Sequence, residues 1–498
     1  MMPFYLGPTA ILAHSISKAV VETLETNGGR LVQLVRLPCD EKWPFLDSGI
    51  LFARDFYQSF YDTYVGIYKE GSKLIVCGTP GIGNSAFGCY CIYRALMDRK
   101  RVVYRTSKHG KWLVYDRYSV SELSEMPSEL LRDFKNVVYI SDAISPFEVP
   151  CPTILITSPK KIVWFEFNKA RGCEMKWFGI WDRDNELDLL RHHCFPSITF
   201  NEMDKQVQMW GAVPRITLSR ANVFTESNLK YLVQASAPDL LIKAAMITET
   251  GTDDSNHRLV HIIPDNNFDA VSRSFASTHV ADLIYSHFKG TSSDRLQLFL
   301  SDLSHVSEAK SATGVLFGML FERHSREVIA MGGSFQVRDL HSGETRTAVL
   351  DISLGLMEFD SAEKITQCDG KLYTPKSKRH TAIDFLTWNT DALQLFNSTS
   401  NTNHDVIMDS ADGKSGVYRF VSTLPSGNYR NEFYFAVPCE RFLKMSYPKL
   451  LWKESTRSTL AVKRPTEVEK QSFQKLFKFY AISIPIGKRM LSSLRRIV

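Results

Sequence analysis

The chain has 498 residues, 60 Lys and Arg against 54 Asp and Glu, 44% hydrophobic and 23% charged residues. This composition excludes a wholly disordered, collagenous or low-complexity chain, and the length predicts two or three compact units. No run approaches the roughly 18 apolar residues of a membrane span, so a soluble protein with no membrane partner is expected.

In chain order, Met1 to Val20 holds Pro3, Gly7 and Pro8 without the basic start of a secretory signal, and residues 1–50 read as an N-terminal segment. Between 51 and 225, short apolar runs beginning at Leu74, Val102, Val137 and Ile154 alternate with helical spacing. That pattern predicts a parallel α/β sheet covered on both faces. From 226 to 308 the spacing turns helical, at 228–235, 239–247 and 281–288, predicting a helical subdomain or connector. From 309 to 452 a long helix precedes strand-like alternation at 334–340, 347–352, 416–421 and 432–438, with 397–415 read as a polar loop. Residues 453–498 read as a basic tail with helical stretches such as 468–480. The nine cysteines are scattered, and Cys89 and Cys91, the closest pair, fit neither a zinc nor a redox spacing. Reduced core thiols in a cytosolic or nuclear compartment are the expectation.

The sharpest local signal is Gly78-Thr-Pro-Gly81-Ile-Gly83-Asn84-Ser85, between an apolar strand and a helical run. Glycines allow close backbone approach, and a helix N-terminus favours an anion, so the segment reads as a phosphate-binding loop. Gly78, Gly83 and Ser85 match G-x-x-x-x-G-K-[ST], but Asn84 stands where the lysine belongs. An amide brings no charge to the β- and γ-phosphates, so ATP or ADP binding is expected to outlast hydrolysis. Asp142 ends a later apolar strand, where an acid holding Mg2+ together with Ser85 is expected, and Ser158 follows the next strand. The bland alternative is a Gly-rich turn without ligand. No G-x-S-x-G elbow or His-Glu-x-x-His is present, and a dinucleotide fingerprint lacks its acid after the second strand.

The loop run LIVCGTPGIGNSAFGCYCIYRAL, followed by VVYISDAISP, TILITSPKKIVWFEFNK, WFGIWDRDNEL and WGAVPRITL, resembles the P-loop domain of Crinkler effectors and trypanosomatid retrotransposon hot spot proteins. The resemblance extends upstream to FARDFYQSFYDTY and downstream through GVLFGMLFERHSREVIAMGGSFQVRDL and LYTPKSKRHTAIDF. It implies a P-loop NTPase-like parallel sheet, a helical connector and a restriction-endonuclease-like α/β domain, in the order of the segments above. It also implies an effector that is secreted, reaches a host nucleus, acts on DNA or chromatin and provokes cell death, with host nuclear proteins or a second copy of the chain as protein partners. The secretion header of oomycete Crinklers is missing from this sequence. Two departures stand out: Asn84 for the loop lysine, and Ala143 after Asp142 where the family has glycine. Arg215 keeps the arginine of a Gly-Gly-[Val/Ile]-Pro-Arg pattern and is expected at a nucleotide phosphate.

Mg2+-dependent phosphodiester cleavage needs converging carboxylates and a group that orients water, commonly lysine. Glu322, on the long helix, and Asp384, on a following hairpin, are the expected metal ligands, with carboxylates roughly 4–7 Å apart. The next strand offers Gln394 and Asn397-Ser398-Thr399 in place of a lysine, and Asn397 is taken as the third catalytic position. His324 and His404 are further polar candidates. Lys376, Lys378, Arg379 and His380 form a basic cluster expected to touch DNA phosphates. The rival reading is a catalytically dead scaffold that binds partners or itself.

Overall fold

The structure is a computed structural model that describes residues 15–486 apart from 39–40, 45, 47, 68–69, 108–110, 134, 239–240, 243–255, 310–313, 368, 377–382, 411–415, 426, 428, 454–461 and 464–474. The chain is a mixed α/β protein that divides into two compact units, one within Met1–Leu283 and the other within Ile284–Lys310 and Gly314–Val498.

The first unit opens with an antiparallel three-stranded sheet, β1 (Val20–Glu25), β2 (Leu31–Arg36) and β3 (Ile50–Ala53). Its main sheet comprises β4 (Lys73–Gly78), β5 (Arg101–Thr106), β6 (Trp112–Tyr115), β7 (Val120–Leu123), β8 (Val137–Asp142), β9 (Thr153–Thr157) and β10 (Cys173–Phe178). The spatial order is β10-β4-β9-β8-β5-β6-β7, parallel from β10 to β5 and antiparallel thereafter. Strands β8 and β9 are buried at every residue, because helices and loops cover both faces. One face packs Ile75, Cys77, Leu155, Trp164 and Trp177, and another cluster gathers Val103, Trp112, Val137 and Tyr139. Helix α1 (Asn84–Met97) follows the Gly-rich loop and buries Phe87, Tyr90, Cys91 and Ile92. Further along, α2 (Phe200–Trp210) starts with a capping box between Thr199 and Glu202.

The stretch read as wholly helical from 226 to 308 begins and ends in helices, α3 (Glu226–Ala235), α4 (Thr278–Thr291) and α5 (Ser293–Ala309), but carries a hairpin between them. Strands β11 (Val260–Pro264) and β12 (Ala270–Phe275) pair antiparallel. The reason is turn chemistry: the Asp265 carboxylate accepts from the Asn267 and Asp269 amides, and Phe268 takes a positive φ of 62°.

The second unit opens on α6 (Gly314–Ala330), on which α5 packs. Its strands are β13 (Gly333–Asp339), β14 (Thr345–Leu350), β15 (Leu356–Phe359), β16 (Leu372–Pro375), β17 (Phe385–Trp388), β18 (Ala392–Ser398), β19 (Val406–Ser410), β20 (Arg430–Pro438), β21 (Leu450–Lys453), β22 (Val462–Lys463) and β23 (Phe477–Ile484). Eight of them form one mixed sheet, β14-β13-β23-β20-β18-β17-β16-β15. One face carries a ladder of stacked rings, Phe385, Phe396, Tyr434 and Tyr480, with neighbouring centroids 5.1, 5.2 and 5.0 Å apart. The other face holds the core of Leu386, Trp388, Leu393, Leu395, Phe433, Phe435 and Phe479.

Three expectations fail here. The segment after Gly416 is a helical turn, Val417–Val421, because Gly416 at φ 119° brings the backbone against Met408 and Asp409, and its carbonyl accepts from Phe420. Part of the supposed polar loop 397–415 is strand: Asn397 and Ser398 complete β18, and β19 pairs with β21. The supposed tail from 453 contributes β23 to the sheet interior, parallel to β20 and antiparallel to β13. Its residues Phe477, Phe479 and Ala481 feed the core on one face while Tyr480 extends the ladder on the other, and such pairing overrides local helical spacing. Among the described residues no helix is long and apolar enough to cross a membrane.

Candidate functional site

In the first unit the loop connects the carboxyl end of β4 to the N-terminus of α1, at the edge where open α/β sheets bind ligands. Gly81 and Gly83 take φ of 98° and 103°, in the region that favours glycine. A Cβ on Gly78 would fall 2.5 Å from the Ile82 side chain and 2.9 Å from the Phe178 carbonyl. A Cβ on Gly81 would fall 2.9 Å from the Cβ of Arg215, whose amide donates to the Gly81 carbonyl at 3.3 Å. Arg215 therefore lies directly against the loop. Its guanidinium is held below the usual arginine range by desolvation and by Arg220 and Arg258, while Asp142 opposes the shift. The group stays cationic in any case.

Asn84 does not extend from the loop as the lysine of the motif would. Its Nδ2 donates to the Thr157 carbonyl at 2.9 Å, which ties the start of α1 to the end of β9. Its Oδ1 and the hydroxyl of Thr79, a residue only 2% exposed, are buried without a hydrogen-bond partner in the protein. Ser85 follows in the first turn of α1. Asp142 is buried at the end of β8, paired with Ile156 of β9, and its Oδ2 accepts from the Tyr104 hydroxyl at 2.7 Å. Burial and the neighbouring Asp142 push the Tyr104 phenol well up, so it remains a donor. Ser158 closes the same edge, its carbonyl accepting from the Lys160 amide. The loop, Ser158 and Asp142 thus share one edge of one sheet. A cavity of about 110 Å³, lined by Lys73, Val138, Thr153 and Glu174 among others, lies at the opposite strand ends.

In the second unit, Ser325 on α6, one turn beyond Glu322, meets the Ser398 hydroxyl at 2.6 Å, and the Ser398 amide donates to the Asp384 carboxylate at 2.6 Å. Arg326 donates to Thr374, whose hydroxyl donates to the Asp384 carbonyl at 3.2 Å. Consecutive residues of α6 therefore reach both sides of Asp384, so the helix of Glu322 and the hairpin of Asp384 converge on one end of the sheet. Ser398 faces α6, and strand alternation turns the Asn397 side chain to the face of Leu393 and Leu395. In the register of β17 with β18, Phe385 pairs with Phe396, which sets Asn397 across from Asp384, while the Ser398 amide, one residue on, reaches the Asp384 carboxylate. His324 is a buried core histidine between the Tyr285 hydroxyl and the Pro485 carbonyl, and burial lowers its pKa. His404 bonds the Asp405 carbonyl and lies beside Phe435. Lys376 is exposed, whereas Lys378, Arg379 and His380 lie outside the described residues. Among the described residues no group of three or more His, Cys, Asp or Glu is arranged to hold a metal ion.

Sequence reasoning missed Thr79, Tyr104, Thr157, Trp181 and Ser325, and named Ser398 only within the run that stands in place of a lysine. Trp181 lay within a quoted motif, but nothing local shows that its indole reaches the loop, where it donates to the Ile82 carbonyl at 2.6 Å.

No family model matches the chain. It is similar to Crinkler effector protein 15 and Crinkler effector protein 16 of Phytophthora infestans, each 22% identical, over 384 and 385 residues respectively. Each similarity covers 73% of this chain, and the chain spans 60% of the length of these curated relatives.

Proposed function

We propose that this chain is an effector-type protein of the Crinkler and retrotransposon hot spot kind whose first unit is a P-loop-type module that binds ADP or ATP as a ligand rather than a fuel. The observation that carries the reading is the loop of Gly78–Ser85, with its positive-φ glycines, its buried and unpartnered Thr79 hydroxyl and Arg215 laid against Gly81. The strand order supports it too, with Asp142 and the loop at the same edge and β9 between their strands. Backbone N–H groups at a helix N-terminus hold phosphates without the lysine. Hydrolysis lacks the cation at Asn84, whose amide is spent on Thr157. Asp142 and the Ser85 hydroxyl would hold Mg2+ only together with phosphate oxygens and water, since one Asp142 oxygen already serves Tyr104. Millimolar ADP or ATP raises the melting temperature by mass action if the reading is right, without phosphate release. A melting temperature unmoved by either nucleotide overturns it.

A second reading, DNA cleavage in a host nucleus, is favoured by the convergence of α6 on Asp384. In it Glu322 and Asp384 hold Mg2+, and Lys376 to His380 follow the DNA backbone. Two carboxylates suffice for Mg2+ completed by water and phosphate oxygens, but the strand from Ala392 to Ser398 brings no lysine to orient the water. Supercoiled DNA incubated with the protein and Mg2+, with and without ATP, tests it. Nicking that Glu322→Ala abolishes supports a nuclease whose release in a host causes cell death. DNA left intact makes the inactive scaffold, binding chromatin, host nuclear proteins or its own copy, the better account.

A further inference from the structure

Two consecutive carbonyls of the loop are bound from outside it. The Gly81 carbonyl accepts from the Arg215 amide and the Ile82 carbonyl from the Trp181 indole at 2.6 Å, whereas the Gly83 carbonyl takes the first bond of α1, from the Phe87 amide at 3.0 Å, with the Tyr57 hydroxyl 3.5 Å away. In a trans peptide the carbonyl and the following N–H point in opposite directions. Holding the Ile82 carbonyl on Trp181 therefore turns the Gly83 N–H to the opposite side of that peptide. Gly83, at φ 103°, belongs to the residue type least able to hold one orientation unaided.

Trp181 is itself fixed by a buried ion pair. Arg54 and Glu186, with side chains 6% and 2% exposed, meet at 2.8 Å, and the Arg54 Nε reaches both Glu186 oxygens. The remaining Arg54 donors serve the Gly179 and Ile180 carbonyls, just before Trp181, and the guanidinium lies 4.9 Å from the centre of the Trp181 ring. Phe52 packs against the same ring, and the Trp181 amide donates to Ala212. A buried pair with this many satisfied donors specifies one position for the residues around it.

We infer that Trp181, seated by Arg54 and Glu186, is a positioning residue for anion binding: it orients the peptide between Ile82 and Gly83 so that the loop presents N–H groups to the phosphates of a nucleotide. The inference rests on the reading of this loop as a nucleotide site. Trp181→Phe keeps an aromatic ring beside Phe52 but removes the donor, so ADP affinity, measured by calorimetry on the full chain, falls about five-fold, the worth of one neutral hydrogen bond. The smaller ring also lowers the melting temperature without nucleotide, so affinity is compared at a temperature where both proteins are folded. Equal ADP affinity in the two proteins overturns the positioning role and leaves the nucleotide site standing. Absence of ADP binding by the unaltered protein removes both. Should Trp181→Phe fail to fold, Phe52→Leu, which loosens the packing that seats the Trp181 indole and leaves its donor in place, gives the comparison, and unchanged ADP affinity in that variant counts against the inference.

Discussion

The Gly78–Ser85 loop and the Asp384 end of the second sheet are built in opposite ways. The loop is a backbone device: its glycine torsions, outward-held carbonyls and helix start arise within one strand–loop–helix unit, and distant residues such as Trp181 and Arg215 only hold it in shape. The Asp384 end is a side-chain device, in which a helix and three strands each contribute a group and the arrangement depends on register. In the first, Asn84 in place of a lysine leaves the glycine torsions and the helix start as they are. A shift of one residue in the second would turn every group of the strand to the other face.

The largest test of the contrast removes residues 475–498. Because β23 lies between β13 and β20, the second unit loses its cooperative transition in scanning calorimetry while the first keeps its own; a dispensable tail would leave both transitions in place. Next comes Arg54→Ala, which strands the buried Glu186 and lowers the stability of the first unit by about 3–5 kcal/mol in chemical denaturation.

His261 provides a pH test of the first unit. It is 1% exposed with neither ring nitrogen bonded, and burial pushes its pKa down to about 4. Above pH ~6.5 both states are neutral and no dependence arises; below it the unfolded state takes up a proton that the folded state refuses. Stability therefore falls as pH drops from about 6.5 to 4, by roughly 3 kcal/mol in all, and His261→Phe removes that part of the slope.

In the second unit, Asp384→Ala leaves the Ser398 amide without its acceptor and costs about 1–3 kcal/mol, read from the unfolding midpoint of that unit. A cost near zero would mean that the contact between β17 and β18 does not depend on the carboxylate. The smallest expected effect is Asn84→Lys, which exchanges the bond to Thr157 for a cation near the phosphates and tightens ATP binding about ten-fold by calorimetry. Unchanged affinity would mean that the loop does not cradle phosphates.

Much of the first unit was legible because its signals are local. The apolar runs of β4, β8 and β9, the glycines of the loop and the terminal Asp142 lie on contiguous stretches, where strand length, turn chemistry and helix spacing speak for themselves. The second unit was less so. Helix α6 and strands β13, β14 and β20 could be read, but the same alternation at Gly416 gave a helical turn, and helical spacing near 468–480 ended in a strand.

The sequence by itself determined the mixed α/β character, the place of the Gly-rich loop and the absence of a lysine from it, since each is a property of neighbouring residues. Only the tertiary structure decided that Asn84 bonds Thr157, that Trp181 reaches Ile82, that the Ser398 amide reaches the Asp384 carboxylate, and that Phe477–Ile484 enters a sheet interior. Each of these pairs residues far apart in the chain. Such pairing is settled by which sheet edge has a free partner and which face is buried, and neither is visible in the pattern of any single segment.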